Sequence, residues 1–214
     1  MRKFKAVFKT SEKSIEVEIN EDLVDDDFFL INGVKVEVDG YECLYIQKPE
    51  QYQMDNFIFR YKTNHSLLVL LDYRLDVFIP INISKKDSGL KEMANLLISI
   101  NCNDQGKYSY FYELLGAKSG NIDMECALLE ISKQLTQECE IEICACCKKS
   151  CWNPYGDGLH NHVCFKEIKE KLWQLEEVNK ETVAELMNEG NFQLTSLIGY
   201  CEEFVAKKEK RVGK

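Results

Sequence analysis

Regular alternation of apolar and polar residues most strongly constrains how the first half of this chain can fold. Every second residue is apolar in KFKAVFK (3–9) and in SIEVEI (14–19). A period of two places one set of side chains on a buried face and the other in water, as in an antiparallel sheet. Asn32-Gly33 stands between two β-prone runs and favours the positive φ angles of a tight hairpin turn. We therefore predict strands joined by hairpins.

Further strands are predicted wherever aromatic and β-branched residues concentrate. The stretches are YECLYI (41–46), NFIFRYK (56–62), LDVFIPINI (75–83) and KYSYFYEL (107–114). Together they predict a largely antiparallel sheet in a β-rich N-terminal region, residues 1–120.

The period changes after Gly120 to the spacing of helices. Residues 121–136 place apolar side chains on one helical face, with Asn121 or Asp123 as N-cap. A short strand, CEIEI (139–143), follows. Helices are then predicted in FKEIKEKLWQL (165–175), ETVAELMNEG (181–190) and FQLTSLIGYCEEFVAKK (192–208).

These patterns predict an α+β fold in which an N-terminal antiparallel sheet with a packed helix precedes a zinc-stapled helical region. The helical region covers 121–206 and a basic tail covers 207–214. With 214 residues and 45% hydrophobic composition, the chain is expected to form one integrated domain.

Charge and hydropathy argue against two classes of partner. The net charge is −9 although the tail KKEKRVGK (207–214) is basic, so the rest of the chain is more acidic still and repels nucleic-acid backbones. The longest candidate for a membrane span, the apolar run LLVLL (67–71), ends at Asp72 and is far too short to cross a bilayer. The N-terminus lacks the apolar core of a secretory signal. We therefore expect a cytoplasmic protein that binds neither nucleic acid nor membranes.

The segment from Cys144 to Phe165 is unusually rich in metal-binding side chains. It holds five of the ten cysteines and two of the three histidines. A reducing cytosol disfavours disulfides, and Cys144 and Cys147 have the Cys-x-x-Cys spacing that points two thiolates at one zinc ion. Cys164, at a predicted helix start, can supply a third ligand. The remaining candidates nearby are Cys151, His160 and His162.

The second half of the chain also resembles an uncharacterised bacterial protein family. Its members carry an LLEIQKQL-like helix, a Cys-x-x-Cys strand end, a PYG loop, a Cys-aromatic-basic helix start and a late cysteine before an acidic-aromatic pair. The matching positions here are Leu128–Ile131, Lys133–Leu135, Cys144, Cys147, Pro154–Gly156, Cys164–Lys166 and Cys201–Phe204. The resemblance implies a structural Zn²⁺ site of Cys144, Cys147, Cys164 and Cys201, and it implies no activity. His160, His162 or Cys151 in place of Cys201 stays an open alternative.

Other reactive residues receive simpler interpretations. Cys43, Cys102, Cys126 and Cys139 are expected to be core side chains, because cysteine is among the most often buried residue types. The acidic run Asp25–Asp27 is expected to be a solvated turn. The Cys-x-x-Cys pair does not open a predicted helix, which a thioredoxin-like redox site would require.

Two functions from different classes are compatible with these features. The first is a non-catalytic, zinc-stabilised module that binds another protein, of which a bacterial immunity-type protein is one instance. The alternative is a cysteine- or zinc-dependent enzyme, a hydrolase or thiol oxidoreductase that uses the 144–164 cluster.

Overall fold

The computed structural model describes most of the chain, which forms two compact units. The described residues are 2–21, 27–39, 43–49, 60–64, 67–147, 150–152, 162–165, 180–188, 192–195, 198–199, 202 and 204. The first unit contains 1–80 and 95–127, and the second contains 81–94 and 128–214.

Within the described residues, twelve antiparallel strands form the larger sheet. They are β1 (Lys3–Lys9), β2 (Ser14–Asn20), β3 (Asp27–Ile31), β4 (Val34–Asp39), β5 (Cys43–Gln47), β6 (Arg60–Asn64), β7 (Leu67–Leu71), β8 (Tyr73–Lys85), β9 (Lys91–Cys102), β10 (Tyr108–Leu114), β11 (Ala117–Ser119) and β12 (Cys139–Ile141). Their order is β11-β10-β9-β8-β1-β2-β3-β4-β5-β7-β6, and β12 pairs with β8 off this path.

Along these strands, buried and exposed side chains alternate in the same way as apolar and polar residues alternate in the sequence. Along β8, every second side chain from Tyr73 to Ile83 is buried. Ile31 pairs with Val34 across a two-residue turn, in which Asn32 has a φ of 51° and Gly33 a φ of 83°. The predicted Asn-Gly hairpin is therefore confirmed. Three further strands of the larger sheet, β7, β9 and β11, lie outside the predicted stretches.

Helix α1 (Met124–Gln134) lies within the predicted 121–136 segment. Asp123 is its N-cap, because the Oδ1 atom of Asp123 accepts a hydrogen bond of 2.7 Å from the Cys126 N–H. The apolar stripe of the helix, from Ala127 to Leu135, is buried. Helix α2 (Lys180–Asn188) matches the predicted ETVAELMNEG helix, although Gly190 lies outside the described residues.

The predicted α+β fold with a helical C-terminal region is wrong. Of the described residues, 58% lie in strands and 15% in helices, so the protein is mostly antiparallel sheet. A second sheet of three strands, the C-terminal sheet, contains β13 (Ser150–Trp152), β14 (His162–Cys164) and β15 (Gln193–Thr195) in that order.

Two of the predicted C-terminal helices are affected by this correction. Cys164 ends a strand instead of starting a helix, and residues 193–195 of the predicted 192–208 helix form β15. Val163 pairs with Leu194, so tertiary pairing of short apolar runs overrides their helical spacing. The remainder of the 165–175 helix lies outside the described residues.

Within the described ranges, no helix is both long and apolar enough to cross a membrane.

Candidate metal centre

The Cys-x-x-Cys pair forms a tight turn, which we call the cysteine turn (Cys144–Cys147). Residues 144–146 form one turn of 3₁₀ helix, and the Cys147 N–H donates to the Cys144 carbonyl at 3.0 Å. The chain then leaves in an extended conformation at Cys147, and the Ser150 N–H returns to the Cys147 carbonyl at 3.2 Å. The turn therefore leads directly into β13.

The C-terminal sheet contributes Cys164 from its central strand. Cys164 pairs with Ser150 on β13 and with Gln193 on β15. Residues directly opposite each other in an antiparallel pair share a face, and so do residues two apart on one strand. Cys164, Ser150, Gln193 and Thr195 therefore share one face of the sheet, which we call the thiol face.

A contact between side chains places the cysteine turn against the thiol face. The Cys144 Sγ atom lies 3.3 Å from the Thr195 Oγ1 atom. The main-chain N–H of Cys144 also donates to the Gly199 carbonyl at 2.8 Å. Cys144 and Cys164 are thus on the same side of the sheet.

Cys151 belongs to the opposite face. It pairs with Val163 and lies in a hydrophobic cluster with Phe165 and with two residues of α2, Val183 and Leu186. The cluster is extended by Met187 and Phe192, and the Phe165 and Phe192 ring centroids are 6.5 Å apart. Cys151 is therefore a core side chain, with the sheet between it and the cysteine turn.

The thiol face carries a buried polar atom that the described residues leave unsatisfied. Ser150 is 1% exposed, and its Oγ atom has no hydrogen-bond partner among the residues that the structure describes. A buried hydroxyl without a partner is costly, by about 1–3 kcal/mol. A thiolate on the same face would accept the hydrogen bond that this hydroxyl can donate.

The four predicted ligands have different outcomes. Cys144, Cys147 and Cys164 are all buried in the same small module, while Cys201 lies outside the described residues, as does His160. His162 begins β14. In the described part of the chain, no three or more His, Cys, Asp or Glu side chains are grouped closely enough to hold a metal ion.

Two of the four other cysteines that were predicted to be core residues have that position. Cys102 and Cys139 are buried, and burial raises the pKa of each thiol, which keeps it protonated and unreactive. Cys43 is half buried. Cys126 is exposed on α1, so its predicted core position is wrong.

The acidic run also differs in part from its interpretation as a solvated turn. Asp27 begins β3 and is buried, whereas Asp25 and Asp26 lie outside the described residues.

Sequence reasoning missed Ser150, Thr195 and Gly199 as neighbours of the cysteine turn. Strands β14 and β15 pair across 28 intervening residues (165–192). Nothing local to either segment signals such a pairing, since three-residue strands carry almost no periodicity.

The chain matches no model of a known protein family, no curated protein and no solved structure. The resemblance of its second half to a bacterial family therefore stays a prediction.

Proposed function

We propose that the C-terminal sheet and the cysteine turn form a module stabilised by a structural zinc ion. The proposed ligands are Cys144, Cys147, Cys164 and Cys201. The observation that carries the proposal is the contact between Cys144 and Thr195, which brings the Cys-x-x-Cys turn onto the face of the sheet that holds Cys164. Zinc would draw the thiolates into a tetrahedron with Zn–S distances of about 2.3 Å.

The chemistry of the donor set favours a structural site over a catalytic one. Sites rich in thiolates are normally closed, whereas a catalytic zinc keeps one position open for water. Cys144, Cys147 and Cys164 are each at most 6% exposed, so a substrate would have poor access to them. The single 3₁₀ turn at 144–146 also provides no α-helix N-terminus of the kind that activates a redox thiol.

Covalent reach supports Cys201 as the fourth ligand without excluding histidine. Gly199 is hydrogen-bonded to Cys144, and two residues of chain span at most about 7 Å. Cys201 is therefore within reach of the cysteine turn. His160 stays a candidate for the fourth ligand as well, because it precedes the first residue of β14 by two positions.

Elemental analysis of protein purified without chelator tests the site. We expect about one zinc per chain, lost in Cys147→Ser, Cys164→Ser and Cys201→Ser variants. Cys151→Ala is the matched control, since Cys151 lies on the opposite face and should keep the metal. Loss of zinc in His160→Ala or His162→Ala, with zinc retained in Cys201→Ser, would make that histidine the fourth ligand in place of Cys201. The absence of metal from wild-type protein handled anaerobically would refute the site.

Ser150 provides a finer test. If its hydroxyl donates to a metal-bound thiolate, Ser150→Ala should weaken zinc affinity by about tenfold, as is usual when an outer-shell hydrogen bond is removed. A competition titration with a chromogenic chelator measures this. Unchanged affinity would remove Ser150 from the site but leave the cysteine ligands intact.

We further propose that the protein acts in the cytoplasm by binding another protein, without catalysis. Its net charge of −9 favours a partner with a basic surface, since complementary charge accelerates association and excludes acidic competitors. A bacterial protein that neutralises a basic toxin is one instance. Exposed apolar side chains such as Met93 and Leu90, at 72% and 57% exposure, offer contacts for such a partner.

Affinity capture with zinc-loaded protein, followed by reconstitution with the purified candidate, tests this role. A stoichiometric complex that survives physiological salt and contains a basic partner supports it. The enzymatic alternative predicts instead one cysteine in the 144–164 segment that reacts much faster than the others with iodoacetamide in metal-loaded protein. Such a thiol, in the absence of any complex, would favour the alternative.

A further inference from the structure

A second polar site lies in the first unit, at the ends of four neighbouring strands. There β1 ends, β8 begins, β9 ends and β10 begins, around a pocket of about 470 Å³. We call it the polar pocket. Small-molecule sites commonly have volumes of roughly 300–1,000 Å³. The pocket is independent of the cysteines of the proposed zinc module.

Three cations line the polar pocket of this acidic protein. Among the residues that the structure describes, the lining cations are Lys9, Arg74 and Lys107, and the lining carboxylate is Asp72. Hydroxyl and amide groups complete the wall, including those of Ser109 and Asn101, which pair across β10 and β9. The lining is therefore rich in hydrogen-bond donors and carries an excess of positive charge.

A buried carboxylate holds two of the cations in place. Asp76 is 4% exposed, and its carboxylate accepts from Arg74 Nε at 2.6 Å, from Lys9 Nζ at 2.7 Å and from the buried Ser99 Oγ at 2.6 Å. Arg74 Nη2 also donates to Ser99 at 3.2 Å. Lys9 and Arg74 keep 42% and 46% of their side chains exposed, so each can bind a ligand while tied to Asp76.

The loop that presents the third cation is fixed by its own hydrogen bonds. Asn103 Oδ1 accepts from the N–H groups of Gln105 at 3.0 Å and Lys107 at 2.9 Å. Gly106 supplies the positive φ, 76°, that the turn requires. The exposed Lys107 ammonium has no ion pair among the contacts of the described residues. The loop therefore fixes the Lys107 backbone, and no described carboxylate pairs with its ammonium group.

We propose that the polar pocket binds the phosphate group of a small molecule, with Arg74, Lys107 and Lys9 as its cationic contacts. A planar carboxylate offers two oxygens, whereas a terminal phosphate offers three oxygens in a tetrahedral arrangement. Donors that line one pocket from four different strand ends suit the tetrahedral group better. Arg74 supplies the planar fork that favours phosphate, and the lysines act as point charges.

Titration of the zinc-loaded 214-residue chain with inorganic phosphate and with pyrophosphate tests the proposal. Amide NMR shifts of Gly106, Lys107 and Ser109 provide the local readout. We expect saturable shifts with both probes, and none with acetate at the same ionic strength.

Two matched variants decide whether the pocket is responsible. Lys107→Met should weaken binding about tenfold, the effect of one charge-assisted hydrogen bond. Lys5→Met removes the same charge from β1, about 13 Å along the strand from Lys9 and outside the pocket, and should leave binding unchanged. Both side chains are exposed, so both variants should fold.

Three results would overturn the proposal. The first is the absence of saturable binding by either phosphate probe. The second is equal weakening by Lys107→Met and Lys5→Met, which would show diffuse attraction to charge. The third is acetate binding as tight as phosphate, which would assign the pocket to carboxylates.

Discussion

The strands of the first unit and the C-terminal sheet are built from the same kind of pairing but differ greatly in what stabilises them. The N-terminal strand β1 has seven residues and pairs along its full length with β2. Each strand of the C-terminal sheet has three residues, and its described hydrophobic cluster has five buried members. Sheets this small rarely bury enough apolar surface to be stable alone, and a metal is one common remedy.

If the proposed zinc is bound, its removal is the strongest way to separate the two regions. A structural zinc contributes on the order of 10–16 kcal/mol in small modules. We expect chelation, or Cys144→Ser with Cys147→Ser, to expose the amides of β13, β14 and β15 to hydrogen exchange while β1 and β2 stay protected. Loss of protection in the strands of both regions, or no loss of protection in either region, would contradict independent stabilisation.

Matched core truncations test how each region depends on its apolar contacts. Phe8 is fully buried, with ring centroids 5.9 Å from Phe29 and 5.8 Å from Tyr73, and Phe165 is fully buried beneath α2. Each Phe→Ala change should cost about 3–5 kcal/mol. We expect Phe8→Ala to raise hydrogen exchange in β1 and β2. In the zinc-free protein, we expect Phe165→Ala to raise hydrogen exchange first in β13, β14 and β15. Identical exchange patterns for the two variants would argue against this division.

Acid sensitivity of the first unit should depend on Asp76. Burial opposes ionisation of this carboxyl, but hydrogen bonds from Lys9, Ser99 and Arg74 outweigh it and lower its pKa. The folded state therefore binds the proton less tightly than the unfolded chain. The stabilisation is complete above the unfolded pKa of about 3.9 and is lost as pH falls through the lower folded pKa.

Asp76→Asn should reduce the free energy of unfolding by about 2–3 kcal/mol at neutral pH, because charge-assisted hydrogen bonds are lost. It should also flatten the decline in stability as the pH falls below the unfolded pKa of about 3.9. Urea unfolding of wild type and variant across this range provides the measurement. A decline of unchanged steepness in the variant would assign the acid sensitivity to other groups.

The smallest expected effect concerns the Asn32-Gly33 hairpin. Gly33 has a φ of 83° with open space around the position of a Cβ atom, so Gly33→Ala should cost about 1 kcal/mol through backbone strain alone. Gly120→Ala is the control, since Gly120 has no positive φ and only ordinary contact, 3.7 Å, with the Tyr110 carbonyl. Thermal unfolding of both variants checks the difference.

The success of sequence reasoning followed the length of the local signal. The alternation in β1 and β2, the Asn-Gly turn and the capped stripe of α1 each extend over enough residues to determine a structure locally. Residues 192–208 carried apolar spacing typical of a helix, yet Gln193–Thr195 pairs with β14. There the partner strand, distant in sequence, determined the outcome.

By itself, the sequence determined which residues of β1 are buried, because periodicity requires no knowledge of distant partners. In α1 it identified the buried stripe from Ala127 to Leu135 but not the exposure of Cys126. It also determined that Cys144 and Cys147 share a tight turn. Only the tertiary structure decided that Cys151 is a core residue while Cys164 shares a face with Thr195, since the register of β13, β14 and β15 assigns each residue to a face. The same holds for Asp76, Lys9 and Ser99, which come from three separate strands and meet only because those strands are neighbours in the sheet.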